Sequence, residues 1–246
     1  DLHSFPTRRS SDLGNSIANF MRYERPQRGR EREFWQLNAD LFGVDGPMAD
    51  AEIIELSYRS VLNFGARPDM FTVRVNNRQL VNQLLGQFLG LDVIGANMMT
   101  KLLDKKNKIP PETFKQQAIE IFGADGSREG LPKLAQMISM KSVDDLPAEL
   151  SDSPSVQQIR TVMNLLRQKG VTNAVFDVTL MRGLDYYTGT VFEFFDNSPE
   201  NNRAMFGGGR YDGLIGLFGV EPMATVGVGM ELPRSEERRV GKECRS

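Results

Sequence analysis

The run Arg182-Gly-Leu-Asp-Tyr-Tyr-Thr-Gly-Thr-Val-Phe-Glu193 sets a cation, a carboxylate and two phenols on one turn that leads directly into a strand. Gly183 and Gly189 free the backbone on either side of the polar cluster, while Thr190, Val191 and Phe192 have the β-branched and aromatic character of a half-buried sheet. A second cluster lies between Asn19 and Phe42, where two strand-like segments flank a loop carrying Arg25, Arg28, Arg30 and Arg32. On the second segment, period-two alternation puts Trp35, Leu37, Ala39 and Leu41 on one face, read as core. Gln36, Asn38 and Asp40 fall on the other, a polar floor. An exposed sheet edge shows the same alternation; the matching parity of Arg22 and Glu24 on the first strand favours a ligand site. Guanidinium groups grip phosphate oxygens through a planar fork and keep their charge at neutral pH. The arginine loop therefore suits a triphosphate or the acceptor end of an RNA, the alternative being a solvated charged loop. Gly207-Gly-Gly-Arg-Tyr-Asp-Gly213 is a weaker signal, since a tight turn between strands would look the same; Arg210 and Asp212 read there as a structural pair.

These groups need a scaffold, and the chain's pattern supplies one. Strand, charged loop and strand run from Gly14 to Phe42, followed by an amphipathic helix over Met48 to Leu62. Met70 to Val75 reads as strand and Arg78 to Leu89 as helix. Helical spacing then dominates at Ile94 to Leu103, Pro111 to Phe122, Leu131 to Met140 and Val156 to Gln168, the last announced by Ser-Asp-Ser-Pro at Ser151 to Pro154. Strand character returns at Ala174 to Leu180 and Tyr186 to Phe194. The expectation is an α+β fold: a mainly antiparallel sheet flanked by helices and interrupted by a helical insertion. Its first part covers 14–91, the insertion 92–169 and the second part 170–233.

Residues 1–13 and 234–246 are set apart. Each stretch of thirteen residues back-translates to one strand of a single DNA string that resembles a sequencing-library adapter, so both read as non-native tails. They hold the only histidine, His3, and the only cysteine, Cys244. The segment between them thus has no means of Ser/His/Asp or Cys/His catalysis, of disulfide formation, or of building a Cys or His zinc site. Without the tails, 23 Lys and Arg face 27 Asp and Glu, and the formal charge moves from −2 to −4. RNA contact would need a local basic patch rather than a basic surface. No apolar run approaches the roughly 18 residues of a membrane span, and a cytoplasmic location fits.

The opening run and the Asn19–Phe42 segment resemble the histidine-specific signature and motif 2 of the histidyl-tRNA synthetases, class II ligases that activate histidine with ATP and load it onto tRNA(His). The likeness covers Gly14 to Pro233. It implies ATP with Mg2+ as substrate, no tightly bound cofactor and no metal site of the protein's own. L-histidine and tRNA(His) would be partners, and the full-length protein a homodimer. Carried over residue by residue, Arg22 and Arg182 would be catalytic at the ATP α-phosphate, with Glu24 and Arg30 as further ATP contacts. Gln36, Asp40, Arg182, Tyr186, Tyr187, Gly208 and Tyr211 would line the histidine pocket, Tyr187 and Asp40 bracketing the imidazole. Arg25, Arg28 and Arg32 would face the tRNA acceptor end. Ala224 to Glu231 resembles the start of motif 3, without the arginine that follows in the family. Motif 1 and a C-terminal anticodon-binding domain have no counterpart in the chain, which would leave apolar surface exposed and activity of the chain alone in doubt. The rival reading is a non-catalytic, histidine-binding regulatory subunit of ATP phosphoribosyltransferase.

Overall fold

A computed structural model describes residues 12–23, 32–106, 108–181, 186–198 and 204–231. Among these, seven strands form one sheet in the order β1-β2-β7-β6-β5-β3-β4. The strands are β1 (Asp12–Met21), β2 (Glu33–Phe42), β3 (Phe71–Asn77), β4 (Ala174–Phe176), β5 (Thr190–Asp196), β6 (Ala204–Arg210) and β7 (Thr225–Glu231). All neighbours pair antiparallel except β3 and β4. The expected α+β class and mainly antiparallel sheet are what the chain adopts. β1 begins at Asp12, two residues before Gly14, and Asp12 and Leu13 pair with Phe42 and Leu41.

Helix α1 (Pro47–Asn63) follows β2 directly. Pro47 sits at the helix start, where its missing N–H is no loss, and Asp50 lies in the first turn, where the helix dipole favours a carboxylate. Its Ile53, Ile54, Tyr58 and Val61 are buried against the sheet. At the end of β3, Asn77 caps α2 (Arg78–Gln83), its side chain accepting from the backbone N–H of Gln79 and Leu80 at 2.9 and 3.2 Å. A π-helical turn over Leu84–Phe88 continues α2. Helix α3 (Val93–Asp104) is capped by Asp92. Helix α4 (Pro111–Ser139) is broken at Gly123, whose φ of 75° a side chain would resist. The two helical patterns expected there are two helical segments that meet at Gly123, the first ending at Phe122 and the second beginning earlier than Leu131.

Helix α5 (Pro154–Gln168) starts where Ser-Asp-Ser-Pro places it: the Ser153 hydroxyl accepts from the Val156 N–H at 3.4 Å. Its fully buried Val156, Ile159, Val162 and Leu166 pack in one apolar cluster with α1 and the sheet, and Met99, Leu102, Leu134 and Met137 of α3 and α4 extend that cluster. Each such side chain contributes about 1.5–3 kcal/mol, and Leu166→Ala would cost about 2–5 kcal/mol once the cavity is included. Helices α1 and α5 lie on one face of the sheet, and no described helix covers the opposite face of β2, β7 and β6.

Candidate active site

The register fixes which side chains share the open face. Gln36 lies opposite Glu231, Asn38 opposite Gly229 and Asp40 opposite Gly227; Gly227 in turn pairs with Gly209 of β6. Directly opposed residues of an antiparallel pair project to the same side. The floor is therefore a row of polar groups on β2 beside a lane of glycines on β7 and β6. The lane is empty of side chains for a steric reason. A Cβ on Gly227 would overlap the Asp40 carboxylate and lie 2.7 Å from the Tyr211 hydroxyl, and one on Gly229 would come within 2.8 Å of Gln36 Nε2.

At one end of the floor, the Tyr211 phenol donates a short hydrogen bond to Asp40 Oδ1. Burial raises the Asp40 carboxyl above its ordinary range, with the Tyr211 hydrogen bond pulling the other way. Burial and the adjacent carboxylate push the Tyr211 phenol far above its usual value, so at neutral pH it remains a donor. Tyr186 and Tyr187 complete an aromatic wall: ring centroids are 4.7 Å apart between these two and 5.8 and 6.4 Å from each to Tyr211. Tyr187 is buried with Leu180 and Val191 in a small apolar cluster, and Tyr186 stands at the rim.

Arg22 occupies the other end. Its guanidinium pairs with Glu231 Oε1 at 2.6 Å and lies 3.7 Å over the ring of Phe34, which stacks on Phe20. Its backbone N–H donates to the Arg32 carbonyl at 2.8 Å, closing the mouth of the β1–β2 hairpin. Gln36 Nε2 donates to Asn38 Oδ1 at 2.5 Å between the two ends. From Gln36 to Asp40 the strand advances roughly 13 Å.

Of the expected residues, the structure thus gathers Arg22, Gln36, Asp40, Tyr186, Tyr187 and Tyr211 on one face. Gly208 is not among them. It pairs with Phe192 and Val228, on the helix side of the sheet, where an added Cβ would overlap the Gly227 carbonyl and meet the Phe192 ring at 2.7 Å. Gly209, opposite Gly227, is the glycine that shares the open face, with the Tyr187 ring 2.8 Å from where its Cβ would stand. Nor do the glycines of Gly207 to Gly209 form a turn; they lie within β6, where neighbouring backbone and aromatic rings leave no room for a side chain at Gly208 or Gly209. Trp35 is 52% exposed rather than core, since its partner Asn19 lies on the edge strand, which no described helix covers. Arg182, Glu24, Arg25, Arg28 and Arg30 lie outside the described residues. Sequence reasoning missed Phe34 and Glu231 as partners of Arg22; the Glu231 contact follows only from the β2–β7 register, which local pattern does not encode.

Arg210 and Asp212, read as a structural pair, are one: their side chains meet at 3.0 Å. The larger partner is Asp50, which was not foreseen. Its fully buried carboxylate takes the Arg210 fork at 2.8 Å from Nε and 2.7 Å from Nη2.

A profile of the histidyl-tRNA synthetase family matches residues 5–234. The chain belongs to that family. Curated histidine--tRNA ligases of Leptospira biflexa and Pyrococcus furiosus are each 37% identical to it, over 216 and 228 residues. Those matches cover 87% and 89% of this chain but 49% and 51% of the relatives, so the chain spans about half the length of the curated relatives it matches. Among solved structures, histidyl-tRNA synthetase from Nostoc sp. PCC 7120 superposes with a TM-score of 0.77 at 22% identity, covering 95% of this chain and 55% of that one. A protein from Bacillus halodurans described as an ATP phosphoribosyltransferase regulatory subunit/histidyl-tRNA synthetase gives 0.74 at 22% identity, covering 91% and 57%. These two likenesses establish that the histidyl-tRNA synthetase family fold is shared. No described helix is long and apolar enough to cross a membrane.

Proposed function

We propose that this chain carries the histidine and ATP site of a histidine--tRNA ligase. The observation behind the reading is a polar floor with a hydrogen-bonded carboxylate and phenol at one end and a guanidinium at the other. An imidazole offers one donor and one acceptor nitrogen when neutral; Asp40, oriented by the Tyr211 O–H, would accept from the first, and Tyr187, set on the other side of the ring by resemblance, would donate to the second, so a ligand lacking those nitrogens would leave both unmatched. At the far end Arg22 would receive the α-phosphate of ATP, which enters with Mg2+ as part of the substrate. Arg22 must first exchange Glu231 for phosphate, a swap of one anion for another.

In the first step the histidine carboxylate attacks the α-phosphate in line, forming histidyl-adenylate as the bond to pyrophosphate breaks. In the second a terminal ribose hydroxyl of tRNA(His) attacks the acyl carbon and AMP leaves. Neither step needs a protein nucleophile. The protein's part is to position the reactants and to stabilise charge on the phosphorus oxygens. Arg182 is assigned to the same phosphate, Glu24 and Arg30 to ATP, and Arg25, Arg28 and Arg32 to the acceptor end, by family resemblance. The same resemblance supports homodimerisation of the longer protein, a cytoplasmic location and the reading of 92–169 as an insertion.

In the protein extended to the length of its relatives, histidine-dependent exchange of pyrophosphate into ATP should be measurable. Arg182→Ala should reduce it by about 100-fold or more while histidine binding persists. Unchanged exchange in that variant would remove Arg182 from the chemistry. Histidine binding with no exchange in the unmodified protein would favour the regulatory-subunit reading, to which the double description of the Bacillus halodurans structure gives a precedent in fold.

A further inference from the structure

The recognition pair is assembled from distant parts of the chain: Asp40 comes from β2, Tyr211 from the end of β6, and Tyr186 and Tyr187 from the segment before β5. A single buried carboxylate ties these parts together. Asp50 is completely buried in the first turn of α1, the helix that follows β2. Its Oδ1 takes both the Nε and the Nη2 of Arg210, and its Oδ2 accepts from the Thr190 hydroxyl at 2.6 Å and from Gln158 Nε2 at 3.4 Å. Burial pushes the Asp50 carboxyl up, and the guanidinium opposes that shift.

Arg210 has no slack. Its Nη2 donates to the Gly46 carbonyl at 3.0 Å, and its Nη1 to Asp212 Oδ1 at 3.0 Å. Asp212 in turn accepts from the Thr225 N–H at 2.8 Å and from the Thr188 hydroxyl at 3.2 Å. Tyr211 lies between these two anchored residues, its own N–H on the Thr225 carbonyl at 2.8 Å. Thr188, next to the other two tyrosines, donates its N–H to the Arg210 carbonyl at 2.8 Å. All three phenols are thus referred to Arg210, and Arg210 to Asp50.

We propose that Asp50 is a positioning residue for imidazole recognition: through Arg210 it fixes Tyr211, and with it Tyr186 and Tyr187, against Asp40. The inference rests on the histidine reading of the site, since it assigns the network a role in that recognition. A buried ion pair is seldom a net source of stability, but its directional hydrogen bonds hold side chains to one geometry. Among the described residues, Asp50 bonds to Arg210, Thr190 and Gln158 and to no group on the open face, so a loosened network would shift the tyrosine end of the floor and leave the Arg22 end in place.

The test is a calorimetric titration of the chain with L-histidine and, separately, with magnesium ATP, using wild type, Asp50→Asn and Thr190→Val. Circular dichroism sets a temperature at which each protein is folded. Asp50→Asn leaves Arg210 buried opposite a neutral group and Thr190→Val removes one hydroxyl at nearly constant shape, so the second variant decides the matter where the first does not fold. The expected result is histidine affinity reduced about tenfold or more in Asp50→Asn and severalfold in Thr190→Val, with ATP affinity within about twofold of wild type in both. Equal loss of both ligands, or histidine affinity unchanged in the folded variants, would overturn the positioning role. Failure of the wild-type chain to bind histidine would instead overturn the histidine reading, and the positioning role with it.

Discussion

Asp40 and Tyr211 lie 171 positions apart, yet their side chains meet in a hydrogen bond on the open face of the sheet. Two glycines beside them have opposite duties. Gly227→Ala would drive a methyl into Asp40 and Tyr211, so histidine binding should fall by about 100-fold while the denaturation midpoint changes little; an unaffected titration would show that the pair can move aside. Gly208→Ala would meet backbone and a core ring instead. It should cost on the order of 3 kcal/mol in urea unfolding, and a stable variant would mean that β6 and β7 separate more easily than their pairing implies. At this scale the sequence was legible where one strand presents its own polar face, as Gln36 and Asp40 do. It was not legible where identity depends on parity across strands: the choice between Gly208 and Gly209 is made by the β5–β6–β7 register, and Asp50 acquires its meaning only from Arg210, 160 residues away.

At the level of elements, periodicity located the long helices because each buries one stripe, α1 and α5 against the sheet and α3 and α4 against each other. Strand ends were harder to place. Ala174 to Leu180 reads as one strand, but β4 stops at Phe176: the Asp177 side chain accepts from the Thr179 N–H and hydroxyl at 2.9 and 2.7 Å, a local turn that draws the chain off the sheet. Likewise β5 starts at Thr190, not Tyr186, because Thr188 is held on Arg210 and the tyrosines turn towards the pocket. The tie between α1 and the end of α5 offers a pH test. Glu55 of α1 accepts from Lys169 Nζ at 2.6 Å, and that bond, with Arg59 adding to it and burial opposing, lowers its carboxyl below the ordinary 4.5. A carboxyl depressed in the folded state adds stability above its unfolded value and loses that contribution as pH falls through the folded value. Glu55→Gln should therefore cost on the order of 1 kcal/mol at pH 7, with the difference in thermal midpoint closing in acid below the ordinary carboxylate range. A gap that persists there would assign the effect to packing.

For the whole molecule, the helix-covered and open faces of the sheet explain most of the burial, but the β1–β2 end departs from that pattern. Leu13, Ile17, Met21 and Trp35 project to the side where the helices lie, beyond the reach of any described helix, and Ile17 is 62% exposed. An apolar surface of this kind, next to a strand that lies at the sheet edge among the described residues, favours association. Sedimentation velocity should show concentration-dependent species in the chain, reduced by Ile17→Lys; a monomer at every concentration would show that the patch is tolerated in water. The sequence predicted exposed apolar surface from the family comparison, and placed Trp35 in the core because alternation tells which side a residue faces but not whether anything covers it. The central claim is that the carboxylate and phenol of Asp40 and Tyr211 form a histidine-selective end to the floor. Its most direct test is titration of the chain with L-histidine, comparing wild type with Tyr211→Phe. The account predicts saturable binding in wild type and affinity about tenfold weaker in the variant; equal affinity in both would contradict it.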